Sequence, residues 1–276
     1  MSASASTRHS SSPGTAPPAD GPNDRDASGW SANAYRSAAA FVFAPAQTAP
    51  VLELLDAQRG ERIADLGCGS GEVTLEVVRK VGSAAEGLVV GVDVSESMDP
   101  GFLEREGFPG GFIGACDKVF TSAALHWCAR DPQGPLQSAW RLLKPGGRLV
   151  GEMGGAGNVA GIREALHAAL KRRGIDPQPR DPWFFPTVEE YTALLTSVGF
   201  KPLHVSLNTR PTRVDDIKAW VRLFCGHNFL EGMSVEEEAS VVDEVESLCR
   251  EDGRCWDKES GVWRVGYFRL RFVAGK

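Results

Sequence analysis

Three glycines, at positions 67, 69 and 71 of the run DLGCGSG, stand between two acids, Asp65 and Glu72. Glycine lets a backbone turn tightly and lets a ligand approach it closely. Glycine-rich loops joining a strand to a helix serve several nucleotide folds, and spacing sorts them. A dinucleotide loop reads G-x-G-x-x-G and offers a helix N-terminus to a pyrophosphate. Here the spacing is G-x-G-x-G, and Glu72 falls in the first helical turn, where a carboxylate repels phosphate. Asp65 adds a second negative charge. The loop suits a ligand that lacks phosphates and carries positive charge.

S-adenosylmethionine is such a ligand. It carries an ammonium and a sulfonium, and both of its ribose hydroxyls are free. Asp93 closes the next apolar run, GLVVGVDV. An acid there is placed to accept hydrogen bonds from those hydroxyls, as one does in the dinucleotide folds.

These residues need a scaffold, and the flanking patterns predict one. Residues 62–66 form a short apolar strand. Residues 72–81 form a helix with Val73, Val77, Val78 and Val81 on one side and Gly82 at its end. Residues 88–92 form a second buried strand. A third strand is expected over 118–121, then a helix ended by Pro145-Gly146-Gly147, then a fourth strand over 148–153. Upstream, helical spacing over the run from Ala34 to Gln58 is broken at Pro45 and Pro50. Downstream, helices are predicted over 159–173, 188–197, 214–224 and 234–249, with strands over 202–208 and 263–273. Strands alternating with helices imply an α/β fold, a mostly parallel Rossmann-like sheet with helices on both faces and an antiparallel C-terminal strand. The ligand of such a sheet sits at the carboxyl ends of its strands.

ADLGCGSGEVTLEV followed by GLVVGVDVSESM resembles the class I S-adenosylmethionine-dependent methyltransferases. CDKVFTSAALHWC and LKPGGRLVGEM extend the resemblance, which covers residues 30 to 155. LHW and WFFPTVEEYTALLTSVGF are similar to the trans-aconitate methyltransferase-like branch. The resemblance implies that Asp65, Gly67, Cys68, Gly69 and Gly71 hold the methionine end of the cofactor. It implies that Asp93 holds the ribose, and that Val94 and Met98 pack around the adenine. Trp30 and Tyr35 fall where the family's N-terminal segment folds over the cofactor, as lid residues or as the packing face of a helix.

One stretch departs from the family. Between its second and fourth strands the family places a helix, a third strand and an acidic adenine loop. Here 24 residues separate Asp93 from Lys118, and they include Pro100, Gly101, Pro109, Gly110 and Gly111. Two crossovers of at least ~10–12 residues with a strand of about 5 between them barely fit. Either Phe112-Ile113 forms a stunted third strand, or the sheet edge is left short. The shortened segment, residues 99–117, leaves open a relative that binds cofactor weakly or has lost activity.

Methyl transfer displaces a neutral leaving group, so positioning and water exclusion carry much of the catalysis. A carboxylate nucleophile needs no base; an alcohol, phenol or amine does. His126, just past the 118–121 strand, is the candidate base, or else a structural histidine beside Trp127. Trp127 is expected to line the acceptor side, and the aromatic DPWFFP stretch, residues 181–186, offers further walls. Arg163, Arg180, Arg210 and Arg213 are candidate carboxylate clamps, and the residue pattern does not choose among them.

Composition narrows the function classes. At 42% hydrophobic and 24% charged, the 276 residues read as one globular domain over 30–276 behind a Ser/Ala/Pro-rich disordered tail over 1–29. The net charge of −6 argues against a nucleic-acid partner. No apolar run reaches membrane-spanning length. Six cysteines without a Cys-x-x-Cys pair imply reduced thiols, a cytoplasmic setting and no metal centre. The expected function is methyl transfer to an oxygen of a small molecule. A nicotinamide-dependent oxidoreductase is the alternative, and Glu72 and the glycine spacing argue against it.

Overall fold

In a computed structural model, residues 44–82, 87–93 and 112–276 are described. Helix α1 (Pro45–Leu55) opens on Pro45, whose fixed φ suits a first turn. Pro50 does not break it, contrary to the sequence expectation: the helix runs straight through. The missing N–H is outweighed by packing, since Val51, Leu52 and Leu55 are buried against the sheet.

The predicted alternation follows. Strand β1 (Arg62–Leu66) leads through the glycine loop into α2 (Glu72–Val81), and β2 (Leu88–Val92) returns parallel to β1. Val77 and Val81 face the core as expected, but Val78 is exposed. β2 is only half-buried, not a buried strand, because it is the outer strand of the sheet among the described residues. Phe112 to Ala115 form a turn rather than a strand; Phe112 is buried and Ile113 points outward.

Strand β3 (Cys116–Ser122) pairs parallel with β1 and with β4 (Leu143–Gly154), and α3 (Gly134–Leu142) links the two. The Lys-Pro-Gly-Gly run lies inside β4, where pairing jumps from Cys116↔Leu143 to Lys118↔Arg148. It bulges out of the ladder, with Gly146 at φ 79°. After α4 (Ala160–Arg172) come α5 (Val188–Val198), β5 (Lys201–Val214), α6 (Ile217–Cys225) and α7 (Val235–Asp252). A short β6 (Trp256–Asp257) and the long β7 (Val262–Gly275) end the chain. The starts of α5 and α7 are fixed by capping boxes, Thr187 with Glu190 and Ser234 with Glu237.

Strand order is β2-β1-β3-β4-β7-β5, with β6 paired to β7. β7 runs antiparallel to both neighbours. β5 continues six residues past the expected 202–208 because its partner β7 is long enough to pair up to Val214↔Trp263. Pro211 is tolerated there because β5 is an edge strand with one unpaired side. Three cores result: one under α1 and α2, one between the opposite sheet face and α3 and α5, and one among α4, α6 and α7. The third core is the helical elaboration that walls the site.

Candidate functional site

The glycine loop crosses the carboxyl ends of β1 and β2. Gly67 and Cys68 both donate their N–H groups to the Val92 carbonyl, at 2.7 and 3.1 Å. Gly67 has φ +75°, and a Cβ there would lie 2.2 Å from the Ala124 Cβ. The loop thus passes directly against the turn that follows β3. Gly69 has φ +55° and nothing within 4 Å of where its Cβ would be, so its outer face is open to a ligand. Its N–H donates to Asp93 Oδ2 at 2.9 Å, tying the loop to the end of β2. Gly71 then caps α2 in the left-handed conformation.

Asp65 is buried at the base of this loop, where Thr74 Oγ1 donates to its Oδ2 at 2.6 Å. Burial, with the charge of Asp93 adding, pushes its pKa up to about 7. Cys68 is buried behind the loop. Val94, Met98, Trp30 and Tyr35 lie outside the described residues.

Beyond Ala124 the chain makes a 3₁₀ turn, Leu125–Trp127, that delivers His126 and Trp127 to an open-mouthed cavity. His126 is buried, and burial together with nearby Arg269 holds its pKa well below the usual histidine range. The imidazole is therefore neutral. Its Nδ1 accepts the Gly154 N–H at 3.4 Å, which puts the ring hydrogen on Nε2. The His126 carbonyl accepts the Phe184 N–H at 2.8 Å and so anchors the DPWFFP segment. That segment contributes Trp183 and Phe185, stacked with ring centres 5.6 Å apart, to the cavity wall. Ala123 and Val159, at the cavity's rim, both hold left-handed backbones, φ +57° and +48°. A β-branched residue there is strained, and such strain gathers at functional sites.

The far wall comes from β5, α6 and β7. Trp220 Nε1 donates to Tyr267 Oη at 2.8 Å, and Arg210 and Arg269 reach the cavity beside them. Behind these arginines lies Glu152 of β4. Its carboxylate accepts from Arg269 Nε at 2.9 Å and Arg271 Nε at 2.6 Å, with Arg210 Nη1 at 3.4 Å. Those guanidiniums hold its pKa below the usual carboxylate range against the effect of burial.

The structure separates the four candidate arginines. Arg210 lines the cavity. Arg163 is paired with Asp181 at 2.6 Å. Arg180 donates to the carbonyls of Phe229 and Glu231. Arg213 is exposed beside Asp215. Sequence reasoning missed Glu152, Trp220, Tyr267 and Arg269. Arg269 and Arg271, charged at alternate positions of an otherwise apolar strand, were the available signal, since such a pair on a buried face demands a counter-ion.

With this geometry established, relatives sharpen the reading. The sequence family described as a methyltransferase domain matches residues 64–151, and that described as protein-L-isoaspartate(D-aspartate) O-methyltransferase matches 27–100. An uncharacterized methyltransferase of Schizosaccharomyces pombe is 30% identical over 272 residues, covering 90% of this chain and 98% of the relative. The chain belongs to the class I S-adenosylmethionine-dependent methyltransferases. This methyltransferase is also 28% identical over 132 residues to trans-aconitate 2-methyltransferase of Deinococcus radiodurans, covering 44% of this chain and 48% of that one. Its fold matches that of a candidate methyltransferase of Bacillus halodurans, at a TM-score of 0.55 and 16% identity, over 84% of this chain and 99% of that one. It also matches phosphoethanolamine N-methyltransferase 2 of Haemonchus contortus, solved with S-adenosylhomocysteine, at a TM-score of 0.51 and 17% identity over 89% of this chain and 57% of that one. The cofactor is S-adenosylmethionine, and the nicotinamide alternative is set aside. Among the described residues no helix is long and apolar enough to cross a membrane, and no group of acidic, His and Cys side chains is arranged to hold a metal.

Proposed function

We propose that this methyltransferase acts on a small molecule and that the methylated atom is an oxygen already ionised when it binds, a carboxylate. The glycine loop fits the cofactor: Asp65 is a buried carboxyl whose raised pKa a cationic ammonium would restore, and open space lies where a Gly69 Cβ would stand. In this reading Asp65, Gly67, Cys68, Gly69 and Gly71 hold the methionine end and Asp93 the ribose. Val94 and Met98, assigned to the adenine, and Trp30 and Tyr35, assigned to a lid, lie outside the described residues, as does most of the shortened segment that raised the question of weak binding. Bound there, S-adenosylmethionine supplies a methyl group on a sulfonium.

The observation that carries the acceptor assignment is the absence of a base among the described cavity residues. The Nδ1 lone pair of His126 is turned to Gly154, so its Nε2–H can only donate. Tyr267 Oη accepts from Trp220. Glu152 is committed to arginines. Among the described cavity residues, a nucleophile that must lose a proton finds no side chain to take it. A carboxylate has none to lose: its oxygen forms the new C–O bond as the C–S electron pair returns to sulfur, and no proton moves. His126 then positions the acceptor as a donor instead of acting as the base that its place after β3 suggests. Trp127 and the aromatic walls exclude water.

Steady-state kinetics on an acid acceptor with His126 variants test this. His126→Gln, which keeps a donor near the Nε2 position, should retain kcat/KM within about tenfold, while His126→Ala loses roughly 10- to 100-fold, the worth of one donor hydrogen bond. With S-adenosylmethionine saturating at every pH, the unmodified enzyme's rate should be flat with pH above about 6.5, because the imidazole is neutral throughout that range. A rate that climbs with pH and vanishes in His126→Gln would mean base catalysis on an alcohol or phenol.

A further inference from the structure

We propose that Arg210 is the specificity-determining residue for the acceptor, and that with Arg269 it anchors a second carboxylate, at the far end from the methylated one, of a small dicarboxylic acid with a flat, apolar body. This rests on the O-methylation reading of the same site. Three guanidiniums, from Arg210, Arg269 and Arg271, share the single carboxylate of Glu152. Among the described residues two positive charges are therefore left over, in a region where Arg269 and Glu152 are almost wholly buried. Uncompensated buried charge is costly, and a bound anion relieves it.

The three arginines do not share Glu152 equally. Arg269 and Arg271 hold it closely, at 2.9 and 2.6 Å. Arg210 reaches it only at 3.4 Å, spends the same Nη1 on the Gln47 carbonyl, and leaves its buried Nε without a partner. Arg210 is thus the guanidinium with donors to spare, and it lines the cavity. A planar fork of this kind matches a carboxylate in two-point contact.

Position fixes which part of the acceptor it meets. Ala123 and the glycine loop mark the cofactor end of the cavity, at the ends of β3 and β1. Arg269 and Arg210 stand on β7 and β5, two and three strands along from β3. At about 4.8 Å per strand this is a span of roughly 10–15 Å between strands, which long arginine side chains shorten. The walls between are aromatic: Trp127, Trp183, Phe185 and Trp220. A flat apolar body fills them, the arginine field holds its far carboxylate, and the carboxylate at the other end meets the cofactor.

Calorimetric titration of the full-length chain with phenylacetate, cinnamate and indole-3-acetate, each against its primary amide, tests the anchor. Succinate serves as an acid without the apolar body. Titrations are run with and without S-adenosylhomocysteine, so failure of cofactor binding and failure of the anchor register separately. At least one aryl acid should bind about tenfold or more tightly than its amide and more tightly than succinate. Arg210→Gln should reduce that preference to within about twofold, while Arg210→Lys keeps part of it; S-adenosylhomocysteine affinity should be unchanged in both. Acids that bind no better than amides, no binding of either class, or a preference that survives in Arg210→Gln would each overturn the proposal.

Discussion

Asp65 couples the cofactor site to pH. In the unfolded chain its carboxyl titrates near 3.8, and in the folded protein near 7. The folded state therefore keeps a proton that the unfolded chain releases, and stability falls as pH rises from about 4 to 7. In the proposed reading the cofactor's ammonium has the opposite preference, since there it binds the ionised carboxyl. Affinity for S-adenosylhomocysteine should rise by up to tenfold per pH unit below about 7 and level off above it. Asp65→Asn should flatten that dependence, weaken binding at pH 8 and raise the melting temperature of the cofactor-free protein there. Titrations and thermal melts between about pH 5.5 and 8.5 check all three, and an unchanged slope in the variant contradicts the assignment. The positions of Asp65 in β1 and of Asp93 just past β2 were legible from the sequence, because local pattern sets the strand ends. The tautomer of His126 was not, because it is set by the Gly154 amide, 28 residues away.

Elements next to one another in sequence were the most legible. β1, the glycine loop, α2 and β2 keep their predicted bounds, since apolar periodicity and glycine punctuation determine them locally. The mistaken break at Pro50 and the short estimate of β5 share a cause. In both, tertiary contacts, burial of α1 and pairing with β7, override a proline that local rules treat as a stop. Two glycines of the loop separate local strain from ligand approach. Gly67→Ala meets both a left-handed backbone and the Ala124 Cβ, and should cost about 2–4 kcal/mol by denaturant unfolding. Gly69→Ala has free space around it and should cost only about 1 kcal/mol. It should nonetheless lose most cofactor affinity, because its new methyl group stands where the ligand approaches. Equal stability losses in the two variants would contradict this geometry.

At the scale of the whole molecule, the parallel half of the sheet builds the glycine loop and the C-terminal half builds the far wall of the cavity, the cofactor and acceptor ends of the proposed reading. The first half follows a widely shared pattern and was readable. The second assembles Arg210, Trp220, Tyr267 and Arg269 from three elements around an antiparallel strand, so no short run of sequence contains it. The same division explains why the methyltransferase family was visible before the acceptor was. In the proposed reading, the excess positive charge of the far wall and the lack of a base among the described cavity residues predict one product class, a methyl ester. Incubating the purified protein with methyl-labelled S-adenosylmethionine and a pool of small carboxylic acids, then treating the products with mild alkali, reads that class directly. The account predicts label in small-molecule product, released by alkali as methanol. Label retained in an alkali-stable ether or amine, or found only on protein or nucleic acid, would contradict it.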